Sequence, residues 1–411
     1  MRISTSAIYD AGIRAMQEQT GKLMQVQQQI SSGRRILTPA DDPVAAARVL
    51  EVSQSQSLNQ QYTTNSAAAG DSLALEESVL GSVSGLLQDV RDVVIQAGNA
   101  TLNPSDRAIL ADALRGRYQE LLGLANSTDG SGQYMFSGYQ GGIRPFSESA
   151  PGKVDYSGDQ GQRLIQVSPS RQIAVSDAGV DVFQRIPGGN GTFATRAAAN
   201  GGSAVIDAGT VLDASKWGNP ANSKNLSVVF TVSGGVTTYN IVDNAPAVPV
   251  VLAAGRPYTS GSDINLGTDA PVDFGARVSI SGAPANGDSF SIKASTSQSV
   301  FQTLDDLIRL LQTSPSGAPL ANGLASVQRN LDNAMENVLT VRTSTGSRLR
   351  ELDSVKSAGD DRALLYSQTL SGLQDLDYAQ AAAELSQQQV NLEAAQKSFA
   401  KVSGLTLFNY L

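Results

Sequence analysis

The C-terminal segment, residues 377–411, contains a helical repeat that limits what the rest of the chain can be. Its spacings alternate between three and four residues at Tyr378, Ala381, Leu385, Gln388, Leu392, Ala395, Phe399 and Val402, all apolar except Gln388. This spacing is typical of a coiled-coil seam. No Gly or Pro interrupts it before Gly404, so the pattern predicts one helix of about 27 residues, roughly 40 Å long. One buried row of side chains does not offset the entropy lost on ordering such a helix, which therefore requires a partner.

The N-terminal segment carries a matching repeat. Its positions are Tyr9, Ile13, Met16, Thr20, Leu23, Gln27 and Ile30. The two chain ends are therefore predicted to be complementary strands of a coiled coil. The repeat stops at Gly33, and the connector that follows contains Pro39 and Pro43. Asp42 before Pro43 predicts an N-cap and the first residue of a new helix.

Helical patterns cover most of both halves of the chain. The first half predicts helices from Pro43 to about Ala69, from Asp71 to about Ala97, and from the Asn103-Pro104 cap to about Asn126. The pattern resumes at Ser299 and continues to the C-terminus, apart from a loop at 314–319. Long helices are therefore predicted on both sides of the middle of the chain.

The middle of the chain predicts β structure. Alternating apolar residues at 153–183 indicate a small antiparallel sheet, and residues 188–294 are rich in Gly, Ala, Ser, Thr, Asn and Val. One hairpin is predicted between 226–232 and 236–242, across Gly234-Gly235. A second is predicted between 277–280 and 289–292.

These patterns predict a mainly α fold with an inserted β domain. The N- and C-terminal segments form a long antiparallel helical bundle or coiled coil, joined by a small β region and an all-β outer domain. The predicted boundaries are a terminal coiled-coil (inner) domain of residues 1–40 and 375–411, a helical bundle with the small β region at 41–187 and 297–374, and the outer domain at 188–296.

Composition excludes several classes of function. The 411 residues include no Cys and no His, which excludes thiol nucleophiles, imidazole bases and the usual zinc, copper and haem ligands. A net charge of −8 argues against binding to nucleic acid or to an anionic membrane. Neither a signal-peptide h-region nor an apolar run long enough to span a membrane is found. The partners are expected to be proteins, and an exported chain would use another route.

Four short patterns suggest chemistry, and each has a plainer interpretation. Gly189 to Ala194 fits the dinucleotide fingerprint, but Pro187 precedes it and no helix follows, so a turn is predicted. Asp155 to Asp159 has a loosely calcium-like spacing without the EF-hand's sixth and twelfth residues, which also predicts a turn. The doublets Asp305-Asp306 and Asp360-Asp361 are interpreted as solvated helix faces or helix starts. We predict no catalytic, cofactor-binding or metal-binding residue and no small-molecule ligand.

Several segments resemble the bacterial flagellin family. Residues 29–36 (QISSGRRI) and 39–48 (PADDPVAAAR) are similar to its N-terminal signature. Residues 1–5 (MRIST), 134–139 (YMFSGY) and 405–411 (LTLFNYL) resemble the family's hook-associated members more than its filament-forming members. One departure is that Thr406 and Leu407 stand where Ser is common. The resemblance covers residues 1–185 and 298–411.

The resemblance implies a structural subunit of the bacterial flagellum. Such a subunit forms a junction ring between hook-associated protein 1 and the flagellin filament, outside the cell. It would be exported unfolded by the flagellar type III export apparatus, without a cleaved signal peptide. The implied partners are hook-associated protein 1, flagellin, copies of the chain itself, the export apparatus and an export chaperone. Two alternatives stay open: flagellin itself, and a secreted hydrolase or lyase on a helical stalk.

The predicted assembly interface consists of seam residues, residues of the C-terminal ending and the two arginines of the connector. The arginines are interpreted as pairing with acidic groups at a subunit contact or, equally, as solubilising charges. The interface residues are Ile13, Met16, Leu23, Ile30, Arg34, Arg35, Leu385, Leu392, Phe399, Val402, Leu405 and Phe408.

Overall fold

The structure is a computed structural model that describes residues 5–220, 222–266 and 273–403. The described residues confirm the predicted fold class, since long helices at both ends of the chain flank a β-rich middle. The helices are α1 (Thr5–Ser32), α2 (Pro43–Ala97), α3 (Pro104–Ala125), α4 (Gly179–Phe183), α5 (Ala214–Gly218), α6 (Val300–Thr313), α7 (Ala318–Gln374) and α8 (Tyr378–Ser403).

Helix caps lie where the sequence predicts them. Asp42 Oδ1 accepts a hydrogen bond from the backbone N–H of Ala45 (2.9 Å), which caps α2. Asn103 caps α3 by accepting from the N–H of Asp106 (2.9 Å), and the Asp106 carboxylate accepts in return from the N–H of Asn103 (3.1 Å). These side chains satisfy N–H groups that have no partner within the helix.

Helix α2 differs from the prediction because it is continuous through Gly70. The sequence predicts two helices separated near this residue, yet one helix spans Pro43–Ala97. A single Gly within a helix costs only about 1 kcal/mol relative to Ala. Ala69 and Leu73 on either side are fully buried, and their packing outweighs this cost.

The strands before residue 190 form short antiparallel pairs. β1 (Phe146–Ala150) pairs with β2 (Lys153–Tyr156), and β3 (Leu164–Ser168) with β4 (Arg171–Ala174). The next strand, β5 (Ile186–Pro187), lies at the start of the insert.

The rest of the insert contains two larger sheets. Its remaining strands are β6 (Phe193–Ala197), β7 (Val205–Ile206), β8 (Thr210–Val211), β9 (Asn225–Ser233), β10 (Val236–Asp243), β11 (Val250–Pro257), β12 (Asp263–Asn265), β13 (Ala276–Ser281), β14 (Ser289–Ala294) and β15 (Ser297–Gln298). One sheet has the order β11-β10-β9-β14-β6 and the other the order β12-β13-β7, with β8 also on β13. β15 pairs with β5.

The first predicted hairpin is confirmed and the second is wrong. β9 and β10 are joined by Gly234 (φ 58°) and Gly235 (φ 81°), the two positive values that a type I′ turn requires. Residues 277–280 and 289–292 do form strands, but β14 lies between β9 and β6, whereas β13 belongs to the other sheet. The Asp288 carboxylate binds the N–H groups of Gly201 and Gly202. These hydrogen bonds lie in the connection between β13 and β14, which passes from one sheet to the other.

The chain divides into two compact units. Unit 1 comprises residues 1–66, 167–169 and 354–411, and unit 2 comprises residues 67–166 and 170–353. Unit 2 contains two hydrophobic cores. One is built from helical residues such as Leu87 and Phe301, and the other from insert residues such as Phe230 and Phe290, all fully buried or nearly so. The three-part boundaries drawn from the sequence stay a prediction.

Three asparagines of α7 bind the backbone of the β insert within unit 2. They are Asn322, Asn330 and Asn333. The Asn322 amide accepts from the N–H of Ile206 and donates to the carbonyl of Ala204, both at 3.0 Å. The Asn333 amide donates to the Pro187 carbonyl (2.8 Å). Buried backbone groups need such partners, so the insert is attached to α7 through polar contacts as well as through the chain itself.

A buried carboxyl group lies among charged residues in unit 2. Glu76 on α2 is 1% exposed, and its Oε1 accepts from the N–H of Asp177 (3.0 Å). Asp177 forms an ion pair with Arg348 on α7 (2.5 Å) and accepts from the Gln162 amide (2.8 Å). Burial and the negative charge of Asp177 raise the pKa of Glu76 to about 8, against the smaller opposing effects of Arg348 and Arg163.

We expect the stability of unit 2 to fall as pH rises because of Glu76. Its pKa in the folded state is above the ordinary value of 4.5, so the folded state holds a proton that the unfolded state releases. The stabilisation is complete below pH 4.5 and is lost as pH rises to about 8, at up to about 1.4 kcal/mol per pH unit. Denaturant unfolding across this interval should show the decline, and Glu76→Gln should remove most of it.

The neighbouring Glu77→Gln variant is the control. Glu77 pairs with Arg342 (2.6 Å) at a half-exposed position, so its loss should lower stability by a similar amount at each pH in the interval. An unchanged slope in Glu76→Gln would contradict the assignment.

Candidate assembly interface

The two terminal helices pack against each other in unit 1 and run antiparallel. Tyr9 near the start of α1 contacts Phe399 near the end of α8, with ring centroids 5.1 Å apart in an edge-to-face arrangement. At the opposite end, the N–H of Leu376 donates to the Gly33 carbonyl (3.0 Å). Each end helix therefore supplies the partner that the other requires.

The protected face of α8 is the face that the repeat predicts, whereas that of α1 is rotated. Ala381 is buried, and the later seam positions Leu385, Gln388, Leu392, Ala395 and Phe399 are half-buried. On α1, Val26 is buried, while Gln27, the predicted seam residue, is exposed. The α1 residues at the contact, Gly12, Gln19 and Val26, each precede a predicted seam residue by one position. The prediction for Gln27 is therefore wrong by one position.

Gly12 allows close contact between the helices. A Cβ added at Gly12 would lie 2.5 Å from Cδ2 of Phe399, which is closer than van der Waals contact allows. The absence of a side chain at this position lets the ring lie against the backbone of α1. The sequence shows this glycine, but its partner is 387 positions away and cannot be predicted from the pattern.

The polar residue in the seam of α8 has a polar partner on α1. The Gln19 side chain donates to the Gln388 side chain (3.0 Å), and both are half-buried. A polar pair at a seam position favours one register, because any shift would leave its amides against apolar neighbours. Gln388, the exception in the repeat, therefore helps to fix the alignment of the two helices.

The connector after α1 is held to the junction between α7 and α8. Arg35 donates from its backbone N–H to Gln374 and from its guanidinium to Leu373, both at 2.8 Å. The same guanidinium lies 3.5 Å from Asp42. The Arg34 side chain is exposed and makes no ion pair with any residue of the described ranges. Arg35 thus acts inside the chain, and Arg34 is the arginine available for contact with another molecule.

Asp41 organises the turn within the connector. Its Oδ2 accepts from the N–H groups of Thr38 (2.8 Å) and Leu37 (3.0 Å), and its Oδ1 accepts from the Gln25 amide (2.9 Å). The hydrogen bond from Thr38 is the main cause that lowers the pKa of Asp41. Within the signature that resembles the flagellin family, Asp41 therefore folds the connector and binds it to α1.

The predicted interface residues lie in different parts of unit 1. Met16, Leu23 and Ile30 on α1 and Leu385, Leu392 and Phe399 on α8 are half-buried, and Ile13 is 41% exposed. Val402 lies within α8, while Leu405 and Phe408 lie outside the described residues. Tyr9 belongs to the predicted repeat, whereas the prediction missed Gly12 and Val26, which the helix pair uses.

The short chemical motifs have structural roles. Residues 189–192 form a turn in which Gly189 (φ 63°) and Gly191 (φ 83°) have positive values, directly before β6. Asp159 Oδ1 accepts from the N–H groups of Tyr139 (3.0 Å) and Gly161 (2.7 Å). Within the described ranges, no cluster of ligands could hold a metal ion. None of the helices described here is long and apolar enough to cross a membrane.

One acidic doublet departs from its interpretation. Asp360 and Asp361 are exposed, but Asp305 is only 9% exposed on α6 and is not on a solvated face. It forms an ion pair with Arg309 (2.6 Å). Burial raises the pKa of Asp305, opposed by the charge of Arg309.

Comparison with known proteins gives consistent matches. Residues 3–141 match the family model of the bacterial flagellin N-terminal helical region. The flagellar hook-associated protein 3 of Escherichia coli K12 is 29% identical over 99% of both chains. The crystal structure of the flagellar junction protein FlgL from Legionella pneumophila is 30% identical with a TM-score of 0.69, and covers 80% of this chain and 100% of its own. A flagellin of Listeria monocytogenes is 25% identical over 31% of this chain and 45% of its own.

The chain belongs to the flagellin family of flagellar structural proteins. Within that family, this chain is similar over its full length to flagellar hook-associated protein 3, also called FlgL. The chain therefore has a structural role in the flagellum.

Two glycines of α1 test the close packing of the end helices. Gly12→Ala should weaken the pair because the new methyl group meets the Phe399 ring, whereas the exposed Gly21 has nothing within 4 Å of its added Cβ. Gly21→Ala should therefore raise the stability of α1 by about 1 kcal/mol through helix propensity. Circular dichroism and limited proteolysis of the terminal helices measure both effects.

Equal gains in the two variants would contradict the packing described for Gly12. Phe399→Leu in the Gly12→Ala background provides a further check, since the smaller, flexible side chain should recover part of the loss.

Proposed function

We propose that this chain forms the junction ring between hook-associated protein 1 and the flagellin filament. It is exported by the flagellar type III export apparatus, and its partners include an export chaperone. The observation that carries the proposal is the full-length similarity to hook-associated protein 3, which includes both end helices. The names of the relatives, hook-associated protein and junction protein, support the position in the flagellum.

The surface of unit 1 supports assembly with other subunits. Its helices carry large apolar side chains that are exposed in the single chain. They are Tyr9, Ile13, Met24, Val44, Leu50, Leu58, Leu364, Leu365, Tyr378 and Val390. Apolar side chains exposed along the same helices can supply the centre of a contact with another protein. We infer that copies of this chain and its flagellar neighbours cover these residues.

Flagellin itself is the alternative from the same family. A flagellin of Listeria monocytogenes matches over 31% of this chain and flagellin A of Vibrio anguillarum over 54%, whereas hook-associated protein 3 matches over 99%. The stalked enzyme has no comparable support, because the family consists of structural proteins. The junction position is therefore favoured over both alternatives.

Deletion of the gene in its own organism separates the two flagellar positions. Loss of a junction subunit should leave hooks without filaments on the cell and release intact flagellin into the medium, because flagellin is still exported but cannot attach. Electron microscopy and immunoblotting of the medium measure these outcomes. Disappearance of the filament protein itself from cells and medium would contradict the junction assignment and favour flagellin.

A substitution on the exposed side of α8 tests the assembly surface. Val390 is 62% exposed, so Val390→Asp should leave the isolated chain folded. In an assembly the aspartate would remove the apolar contact, which is worth about 1 to 3 kcal/mol per subunit, and add a charge that must be desolvated. We expect loss of filament attachment in the complemented deletion strain, with normal amounts of secreted subunit.

Asn391→Asp is the matched control, because it adds the same charge at the next, exposed position without removing an apolar side chain. It should restore filaments. Full motility with Val390→Asp would show that this side of α8 stays in solvent after assembly.

A further inference from the structure

A polar cleft lies in unit 2 where the insert meets α6 and α7. Its volume is about 780 Å³, within the range of sites that bind small molecules. One side is formed by β6 and β14 and the other by α7, with residues of β15 and the start of α6 between them. It is distinct from the helix pair of unit 1 and from the assembly surface proposed there.

Three cations line this cleft without a carboxylate partner. Arg196 on β6 and Lys293 on β14 are exposed, and Arg329 on α7 is half-buried. None of the three forms an ion pair with a residue in the described ranges. Since Ala194 pairs with Lys293, and Arg196 with Ser291, the two exposed cations project from the same face of the sheet.

Arg329 is the most unusual of the three. Its only hydrogen bond within the described residues is a long one from Nη2 to the Thr195 hydroxyl (3.4 Å), and its buried Nε has no acceptor. Burial lowers the pKa of Arg329, and the charge of Asp207 offsets this only in part. The Asp207 carboxylate already accepts from two backbone N–H groups, those of Gly209 and Ser279. A largely buried guanidinium with so few hydrogen-bond acceptors destabilises the fold unless an anion binds to it.

The remaining lining is rich in hydroxyl and amide groups. These are Thr195, Ser291, Thr296, Ser297, Gln298, Ser299, Gln302, Ser326 and Asn330. One carboxylate, Asp306, also lines the cleft, and it accepts from Gln302 (2.9 Å) and Gln298 (3.4 Å). With three cations against one carboxylate the lining is positive, although the whole chain carries −8.

We propose that this cleft binds a small hydroxylated carboxylate with the chemistry of a sugar acid. The ligand carboxylate lies against the Arg329 guanidinium, whose planar fork matches it, and the positive charges of Arg196 and Lys293 attract the ligand to the cleft. The serine hydroxyls of the lining that have no hydrogen-bond partner in the described residues, those of Ser297 and Ser326, bind the ligand hydroxyls. The sequence alone predicts no small-molecule ligand, because the cations come from three separate segments that only the fold brings together.

Titration of the purified full-length chain with glucuronate tests the proposal, with glucose as the neutral counterpart and sodium chloride at equal ionic strength. Glucuronate should raise the unfolding temperature in a concentration-dependent way, since it binds only the folded state. Arg329→Gln should weaken glucuronate binding about tenfold or more, as expected for loss of a charge-assisted contact, and calorimetry measures this change.

The unliganded Arg329→Gln protein gives a second readout. If Arg329 served only the fold, its loss would destabilise the chain; for a ligand-binding cation without a partner, the variant should be as stable as the parent or more stable. Arg350→Gln is the control on the same helix, since Arg350 is exposed and, among the residues that the structure describes, bonds only to Gly346 of its own helix.

Three results would overturn the proposal. Glucuronate could stabilise no more than glucose plus salt, or Arg329→Gln could keep the full response. Inorganic phosphate could match glucuronate, which would overturn the sugar-acid assignment because the hydroxyl contacts would then contribute nothing. None of these results bears on the junction function, which is measured by filament attachment.

Discussion

The antiparallel pairing of the two end helices is the contact on which the organisation of the chain depends. The hydrogen bond between Gly33 and Leu376 and the Gln19–Gln388 pair bring residues more than 340 positions apart into contact. The residues between these pairs therefore begin and end at the same place in the fold. A chain closed in this way can accommodate an inserted β domain, because additional residues between the paired ends need not alter the pairing.

Unit 1 is stabilised by few buried side chains. Val26, Ala45, Leu370 and Ala381 are among its buried apolar residues, whereas its large side chains are half-buried or exposed. Unit 2, by contrast, has two cores in which aromatic rings pack edge to face, such as Phe136 on Phe183. Parts of a protein with few buried contacts open most readily. In unit 1 this property is compatible with export as an unfolded chain and with ordering on assembly.

The features predictable from the sequence were those set by neighbouring residues. Caps at Asp42 and Asn103, the Gly234-Gly235 turn and the face of α8 follow from spacing and turn chemistry. Prediction failed where distant packing decides the outcome. Gly70 does not end its helix, and the strands at 277–280 and 289–292 join different sheets, with Asp288 between them bound to the distant Gly201.

In the candidate sites, too, features set by neighbouring residues were predictable and features set by distant contacts were not. Periodicity identified the helices of unit 1 and most of the side chains between them, but the rotation of α1 that buries Val26 depends on contact with α8. The buried Glu76 and the cations around Arg329 have no local signal at all, since their surroundings are assembled from several elements. Charge and burial at such positions are properties of the tertiary fold.

The asparagines of α7 have a consequence for how this protein can diverge among bacteria. Asn322 and Asn333 bind carbonyl and N–H groups, not side chains, of the insert. Every amino acid supplies a carbonyl and all but proline supply an N–H, so these bonds do not depend on the identity of the side chains in the insert. The outward surface of the insert, for example Val236 and Val248, which are 62% and 75% exposed, can then change under selection by the environment of the cell while its anchorage to the helix stays the same.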